Sequence, residues 1–347
     1  MDLSEIIASD LEKDKEIWIG PKGNYWSNLD IEENKKFLLE TDVLGVEESV
    51  RKYYPEYFDV IFSPKRAAGL LFLDPMPNEI VIDAGCMWGA LSVPLARAGC
   101  TVISIDQTLE SLLLLNKRFK EEKLNNVHLI CSDLKKIKFQ KESFDKAVVN
   151  GVLEWIPEME TIELKKFFGK KTLSPTRYNS QNPRDMQQEF LKNLYFGLKT
   201  GGKLYLAIEN RYDLLYFFGL PDPHCDVKFI TFMPRFIQNT ISKILLKRRY
   251  VNWLYSPNEL KKLVKDAGFN DVIVYYAFPH YQHPDYVLTK DGMHLLRPFR
   301  YANTSNPIKR VVMYCIEEVI YRRMKLSFFS PSLIVVAQKG DPNGIDK

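Results

Sequence analysis

Three aspartates recur at intervals that suit one job. Asp83 closes the run EIVID, Asp106 closes TVISID 23 residues later, and Asp133 follows VHLICS. Each stands where a short apolar strand gives way to a loop. A carboxylate at the end of the second strand accepts both hydroxyls of a ribose lying across the sheet. One at the end of the third accepts a hydrogen bond from an adenine amine. Between the first two lies a turn, GCMWG, with Gly85 and Gly89 flanking Met87 and Trp88. Glycine in such a turn lets a ligand approach the backbone, and the helix that follows aims its unsatisfied N–H groups at negative charge. The two glycines are four residues apart, which is not the G-x-G-x-x-G of a nicotinamide-binding turn.

Positioning these groups requires a sheet. From residue 79, near-continuous apolar runs alternate with helical patterns, which predicts a parallel sheet covered on both faces. The run RDMQQEFLKNLYFGLKTGGKLYLAIEN places Phe190, Leu194 and Leu198 on one helical stripe, stops at Gly201–Gly202 and starts a fifth strand. Farther on, Ser256, Pro257 and Glu259 spell a capped helix start, and Gly268 its stop. The resulting plan is a helical extension over 1–75 and an α/β domain over 76–340, with a flexible tail at 341–347. Aromatic, turn-rich insertions at 212–255 and 278–330 are expected to form a lid.

The totals exclude some classes. A chain of 347 residues with a net charge of +4 is not a dedicated nucleic-acid binder, and no nucleic-acid partner is expected. Five scattered cysteines without a C-x-x-C pair suggest free thiols in a reducing compartment. The acidic, mixed N-terminus and the lack of a long apolar run point to a cytoplasmic protein. No metal site is expected.

The motifs carry a resemblance. VIDAGCMWGALSVPLARAG, SIDQT, CSDL, FDKAVVNGVLEWIP and LKTGGKLYLAIEN are similar, in order and spacing, to the motifs of class I S-adenosylmethionine-dependent methyltransferases. The resemblance implies a Rossmann-like, doubly wound sheet of seven strands, the last one antiparallel and inserted between the fifth and sixth. It implies S-adenosylmethionine as cofactor. Asp83 and Gly85 would meet its methionine end, Asp106 the ribose, Ser132 and Asp133 the adenine, and Asn150 the sulfonium region. Gly89 is kept from the motif, whereas Met87 stands where the family has a glycine. A positive φ there would store about 1–3 kcal/mol of strain.

Further stretches, FSPKRAAGLL, AIENRYDLLYFFGLPDPH and YYAFPHYQHPDYV among them, are similar to parts of bacterial methyltransferases of surface-polysaccharide and small-molecule pathways. Glu209, Asn210, Arg211 and His280 are therefore expected at an acceptor site, and aromatic rings with a few polar groups suit a saccharide or other polar ring compound. O-methylation is the expected reaction, with Glu154 and His224 as candidate bases. The basic, apolar stretch at 243–250 suits an anionic membrane surface. The rival readings are a non-catalytic partner that keeps the fold and, more distantly, an RNA methyltransferase.

Overall fold

A computed structural model describes residues 1–21, 31–157, 181–297 and 306–340, so the proposed tail lies outside the described residues. Its centre is one ten-stranded sheet. The strands are β1 (Glu12–Asp14), β2 (Ile17–Ile19), β3 (Ile80–Ala84), β4 (Thr101–Asp106), β5 (Val127–Cys131), β6 (Phe144–Asn150), β7 (Leu198–Glu209), β8 (Ile273–Phe278), β9 (Tyr286–Leu288) and β10 (Ser332–Gln338). They lie in the order β1-β2-β5-β4-β3-β6-β7-β10-β8-β9.

Neighbours from β2 to β7 run parallel, and β10 runs antiparallel between β7 and β8. The expected seven strands are the interior of this sheet. The count is corrected to ten by the β1–β2 hairpin at one edge and β9 at the other. Both additions are short, and every β1 residue is exposed. Three residues give too little alternation to read as a strand. The helical extension expected over 1–75 is likewise corrected, because residues 12–19 belong to the sheet.

The central strands are apolar on both faces because helices cover both. α4 (Ser92–Arg97), α5 (Leu109–Glu121), α6 (Pro183–Gly197) and α9 (Pro257–Asp266) bury the stripes that the sequence marks. Ile82, Ile103, Val149 and Leu206 lie in the core on one side, and Val81, Val102, Val148 and Tyr205 on the other. That alternation fixes the register, since a slip of one residue would exchange the faces. β3 pairs with β4 on one side and β6 on the other, so the connections diverge there and leave a crevice above the strand ends.

The remaining N-terminal helices cover that crevice. α1 (Ile31–Leu44), α2 (Val46–Tyr53) and α3 (Pro55–Phe62) bring Phe37, Tyr54 and Tyr57 onto Trp88, with ring centroids 4.9 Å apart for Phe37–Tyr54 and 5.4 Å for Tyr54–Trp88. Met87 packs against the same cluster. Large side chains occupy this turn because a helical cap needs something apolar to sit on. Among the described residues no helix is long and apolar enough to cross a membrane.

Candidate active site

The turn after β3 is held open by its backbone. Gly85 and Gly89 have φ of 76° and 77°, and Met87 itself sits at 47°. A Cβ on Gly85 would lie 2.4 Å from Val152, and one on Gly89 2.2 Å from Leu115. Met87 thus adopts the left-handed conformation at the cost named above, and its N–H donates to Asp106 Oδ2 at 2.9 Å.

Above the strand ends lies a cavity of about 440 Å³, within the range of small-molecule sites. Asp83, Asp106 and Asp133 all line it, and Met87 forms part of the wall. Asp106 Oδ1 accepts from the N–H of Thr108 at 2.9 Å. Asp83 accepts from the Ser92 hydroxyl at 2.5 Å. Burial pushes the Asp83 carboxyl up to about 6; the Asp106 charge adds to this, while Ser92 and Arg66 oppose it.

Two residues of the cavity wall carry signals that the sequence reading missed. Arg66, on the 3₁₀ segment Pro64–Phe72, lines the cavity and leaves its buried Nη1 without a partner. With the Asn150 amide oxygen turned toward it, Arg66 donates from Nε and Nη2 at 3.1 Å each. Gln107 also lines the cavity, and its buried Oε1 has no partner. Unpaired buried polar atoms are expensive, so atoms like these mark places where a ligand is received.

Residues 81–167 match a family model described as a methyltransferase domain. Over that stretch the chain is similar to a methyltransferase domain. The interior of its sheet has the strand order that the resemblance of the motifs implies, with an antiparallel strand inserted between the fifth and sixth. Among curated proteins it is similar to the ubiquinone biosynthesis O-methyltransferase of Coxiella burnetii, 26% identical over 136 residues, or 39% of this chain and 46% of that one. The mitochondrial ubiquinone biosynthesis O-methyltransferase of Rattus norvegicus is 23% identical over 149 residues, 42% of this chain and 35% of that one. The chain thus spans less than half the length of these relatives. Among solved structures, phosphoethanolamine N-methyltransferase 2 of Haemonchus contortus, in complex with S-adenosyl-L-methionine, superposes with a TM-score of 0.46 at 13% identity, covering 88% of this chain and 60% of that one.

The same cavity is also lined by Glu154, Glu209 and His224, which the fold gathers together. Glu154 lies in the turn after β6, Glu209 ends β7, and His224 comes from the 212–255 insertion. His224 Nε2 lies 3.9 Å from Glu154 Oε1, and Nδ1 lies 3.5 Å from Asp222 Oδ1. Burial opposes a charged imidazole, but Asp222 and Glu154 outweigh it and raise His224 well above its ordinary pKa. Burial also raises Glu154, with the Glu209 charge adding to the shift. For Glu209 burial acts upward, yet His280 and His224 hold it below the usual carboxylate value.

The structure places several of the expected site residues away from the cavity wall. Ser132 does not line the cavity; its hydroxyl donates to Pro21 O at 3.0 Å, beside the N-terminal strand pair. Gly89 is needed for its fit against Leu115 and does not line the cavity either. Asn210 donates to the carbonyls of Phe328 and Ser330 at 2.8 and 2.7 Å, tying β7 to the second insertion. Arg211 is spent on Glu259, Thr231 O and Met233 O. His280 stays off the wall but sits 3.6 Å from Glu209 Oε1. Gly85, Met87, Asn150, Glu154, Glu209 and His224 line the cavity with the three aspartates.

Proposed function

We propose that this protein transfers a methyl group from S-adenosylmethionine to a hydroxyl of a small ring compound. The observation that carries the reading is one cavity lined both by Asp83, Asp106 and Asp133 and by Glu154, Glu209 and His224. The cofactor supplies an electrophilic methyl group on a sulfonium. The residues present fit it: Asp106 and Gln107 at the ribose, Asp133 at the adenine, and Asp83 with the unpaired Arg66 Nη1 at the ammonium and carboxylate of the methionine part.

Positioning carries much of a displacement of this kind. A hydroxyl acceptor also has to lose its proton, and that task falls to the Glu154, Glu209 and His224 cluster. Trp155 and Tyr281 line the same cavity and offer flat faces to a ring. The stretches resembling polysaccharide enzymes favour a saccharide, while the names of the curated relatives favour a phenolic ring. Incubating the protein with labelled S-adenosylmethionine and each acceptor class, followed by mass spectrometry of the products, decides between them. No labelled product from either class would refute the reading.

Cofactor binding should depend on pH through Asp83. A methionine ammonium favours the ionised carboxylate, whose folded pKa lies near 6 and above the ordinary 3.8. In the free protein the raised value means that Asp83 contributes stability at low pH that is lost as pH rises from about 4 through 6. Binding follows the opposite sense. S-adenosylhomocysteine affinity is expected to rise about tenfold between pH 5 and 7, and Asp83→Asn to flatten that rise. Calorimetry across this range checks it.

The 212–255 insertion, which supplies His224, also carries an apolar surface. In α8 (Arg235–Leu246), the polar Gln238 and Ser242 point inward and bond to backbone carbonyls. Phe236, Ile244 and Leu245 face outward at 72%, 63% and 60% exposure. Lys243 and Lys247 are exposed near them. An apolar outer face beside cations suits an anionic lipid surface, from which a lipid-carried acceptor would enter. Sedimentation with vesicles containing phosphatidylglycerol is expected to capture the protein, and Phe236→Ser with Leu245→Ser to release it. Equal capture by neutral vesicles would contradict the charge contribution.

A further inference from the structure

We propose that Glu154, Glu209 and His224 form a binding site for one divalent metal ion on the wall of the cavity. One ligand atom from each lies within 4.8 Å of the other two, and all three residues are buried. Their separation along the chain hides the set from any reading of motif spacing. The fold alone brings together a turn after β6, the end of β7 and the first insertion.

Three polar atoms of the cluster stand without a hydrogen-bond partner. Glu154 Oε2 and Glu209 Oε2 are buried with no hydrogen-bond partner, as is His224 Nδ1. Buried carboxylates are costly unless paired. Here His224 faces Glu154 and Asp222, His280 adjoins Glu209 Oε1, and Arg66, engaged with Asn150, also acts on Glu209. Two carboxylates and an imidazole make a donor set suited to manganese, iron or zinc.

The surroundings orient these donors as the outer groups of metal centres do. Asp222 is fixed by the N–H groups of His224 and Cys225 at 2.8 and 3.1 Å. The hydroxyls of Thr231 and Tyr250 add bonds at 3.1 and 2.7 Å. So anchored, its Oδ1 stands beside His224 Nδ1, leaving Nε2 on the Glu154 side. Glu209 Oε1 accepts from the Tyr281 hydroxyl at 3.3 Å and neighbours His280, which leaves Oε2 free.

The role of the ion rests on the methyl-transfer reading, although its binding does not. Three protein donors leave coordination positions open to the cavity. The cluster would then manage the acceptor's proton through the ion: an acceptor hydroxyl bound there would have its pKa lowered and pass its proton to solvent water. Its oxygen then forms the O–CH₃ bond as the S–CH₃ bond breaks, and the sulfur keeps the electron pair.

Manganese(II) supplies a probe with its own signal. Electron paramagnetic resonance titration of the full chain is expected to show one bound Mn²⁺, with pulsed spectra carrying the coupling of a directly bound histidine nitrogen. Glu209→Gln and His224→Gln should each weaken binding at least about tenfold, and so should the outer Asp222→Asn. Variants are compared only where circular dichroism matches the parent. The nitrogen coupling tests the parent protein without any substitution. No bound Mn²⁺ or Zn²⁺ at about 1 mM metal, a Kd giving only ~4 kcal/mol, overturns the site. Bound Mn²⁺ without nitrogen coupling overturns it equally. S-adenosylhomocysteine calorimetry on the same sample separates the two claims: cofactor bound without metal removes the site alone, and metal bound without cofactor removes the methyl-transfer reading alone.

Discussion

Asp106→Ala is expected to weaken S-adenosylhomocysteine binding about 100-fold, because two charge-assisted hydrogen bonds to ribose hydroxyls are worth about 1.5 kcal/mol each. The carboxylate is well prepared for that duty. Its two oxygens accept the N–H groups of Met87 and Thr108, which fix its plane and tie it to the glycine turn and the start of α5. Alanine therefore removes both a ligand contact and a brace. Asp106→Asn separates the two effects, since it keeps the shape and one acceptor; its loss should be about tenfold. Isothermal calorimetry measures both variants, and thermal melting shows whether the brace is what failed. Unchanged affinity in Asp106→Ala would move the ribose elsewhere.

The second large effect concerns turnover. Glu154→Gln is expected to lower kcat by about 10²- to 10³-fold, the usual size for losing a group that manages a proton. Glu154 belongs to the cluster with Glu209 and His224 and is bonded to neither Asp106 nor Asp133, so S-adenosylhomocysteine affinity should stay within about threefold. A rise in KM for the cofactor with kcat unchanged would instead make Glu154 part of the cofactor cradle. Steady-state kinetics with the acceptor identified by mass spectrometry provides the comparison.

What the sequence made legible was local. The strand-ending aspartates could be placed because apolar runs alternate with helical stripes, and the parallel sheet follows from that alternation. The Ser256–Glu259 capping box is present in both directions, at 3.3 and 2.8 Å, because its donors and acceptors lie within three residues. Local punctuation failed at Gly201–Gly202, where the helix had already ended at Gly197 and β7 had begun at Leu198. Gly201 takes φ of 79° inside the strand and bonds to Lys339 O, a partner far along the chain.

The other errors share that cause. Ser132 looked like an adenine contact because nothing near it shows that Pro21 arrives to take its hydroxyl. Asn210 and Arg211 follow a strand end, where ligand contacts are common, yet long-range carbonyls and Glu259 claim them. Arg66 went unnoticed because it precedes the glycine turn and its neighbours Asn150 and Asp83 meet it only in the fold. Glu154 and His224 could each be singled out by type, but their pairing with Glu209 could not be seen. Met87 was the residue most at odds with its motif. In the fold its side chain meets the aromatic cap while its backbone keeps the open turn, so its size and its position are compatible.

The central claim is that one cavity presents a bound sulfonium to the Glu154–Glu209–His224 cluster. A crystal structure of the protein with S-adenosylhomocysteine tests it most directly. The account predicts the ribose on Asp106, the adenine beside Asp133, and the sulfur facing Glu154 along the open cavity. Electron density with the sulfur turned away from that cluster, or no ligand in the cavity at saturating concentration, would contradict it.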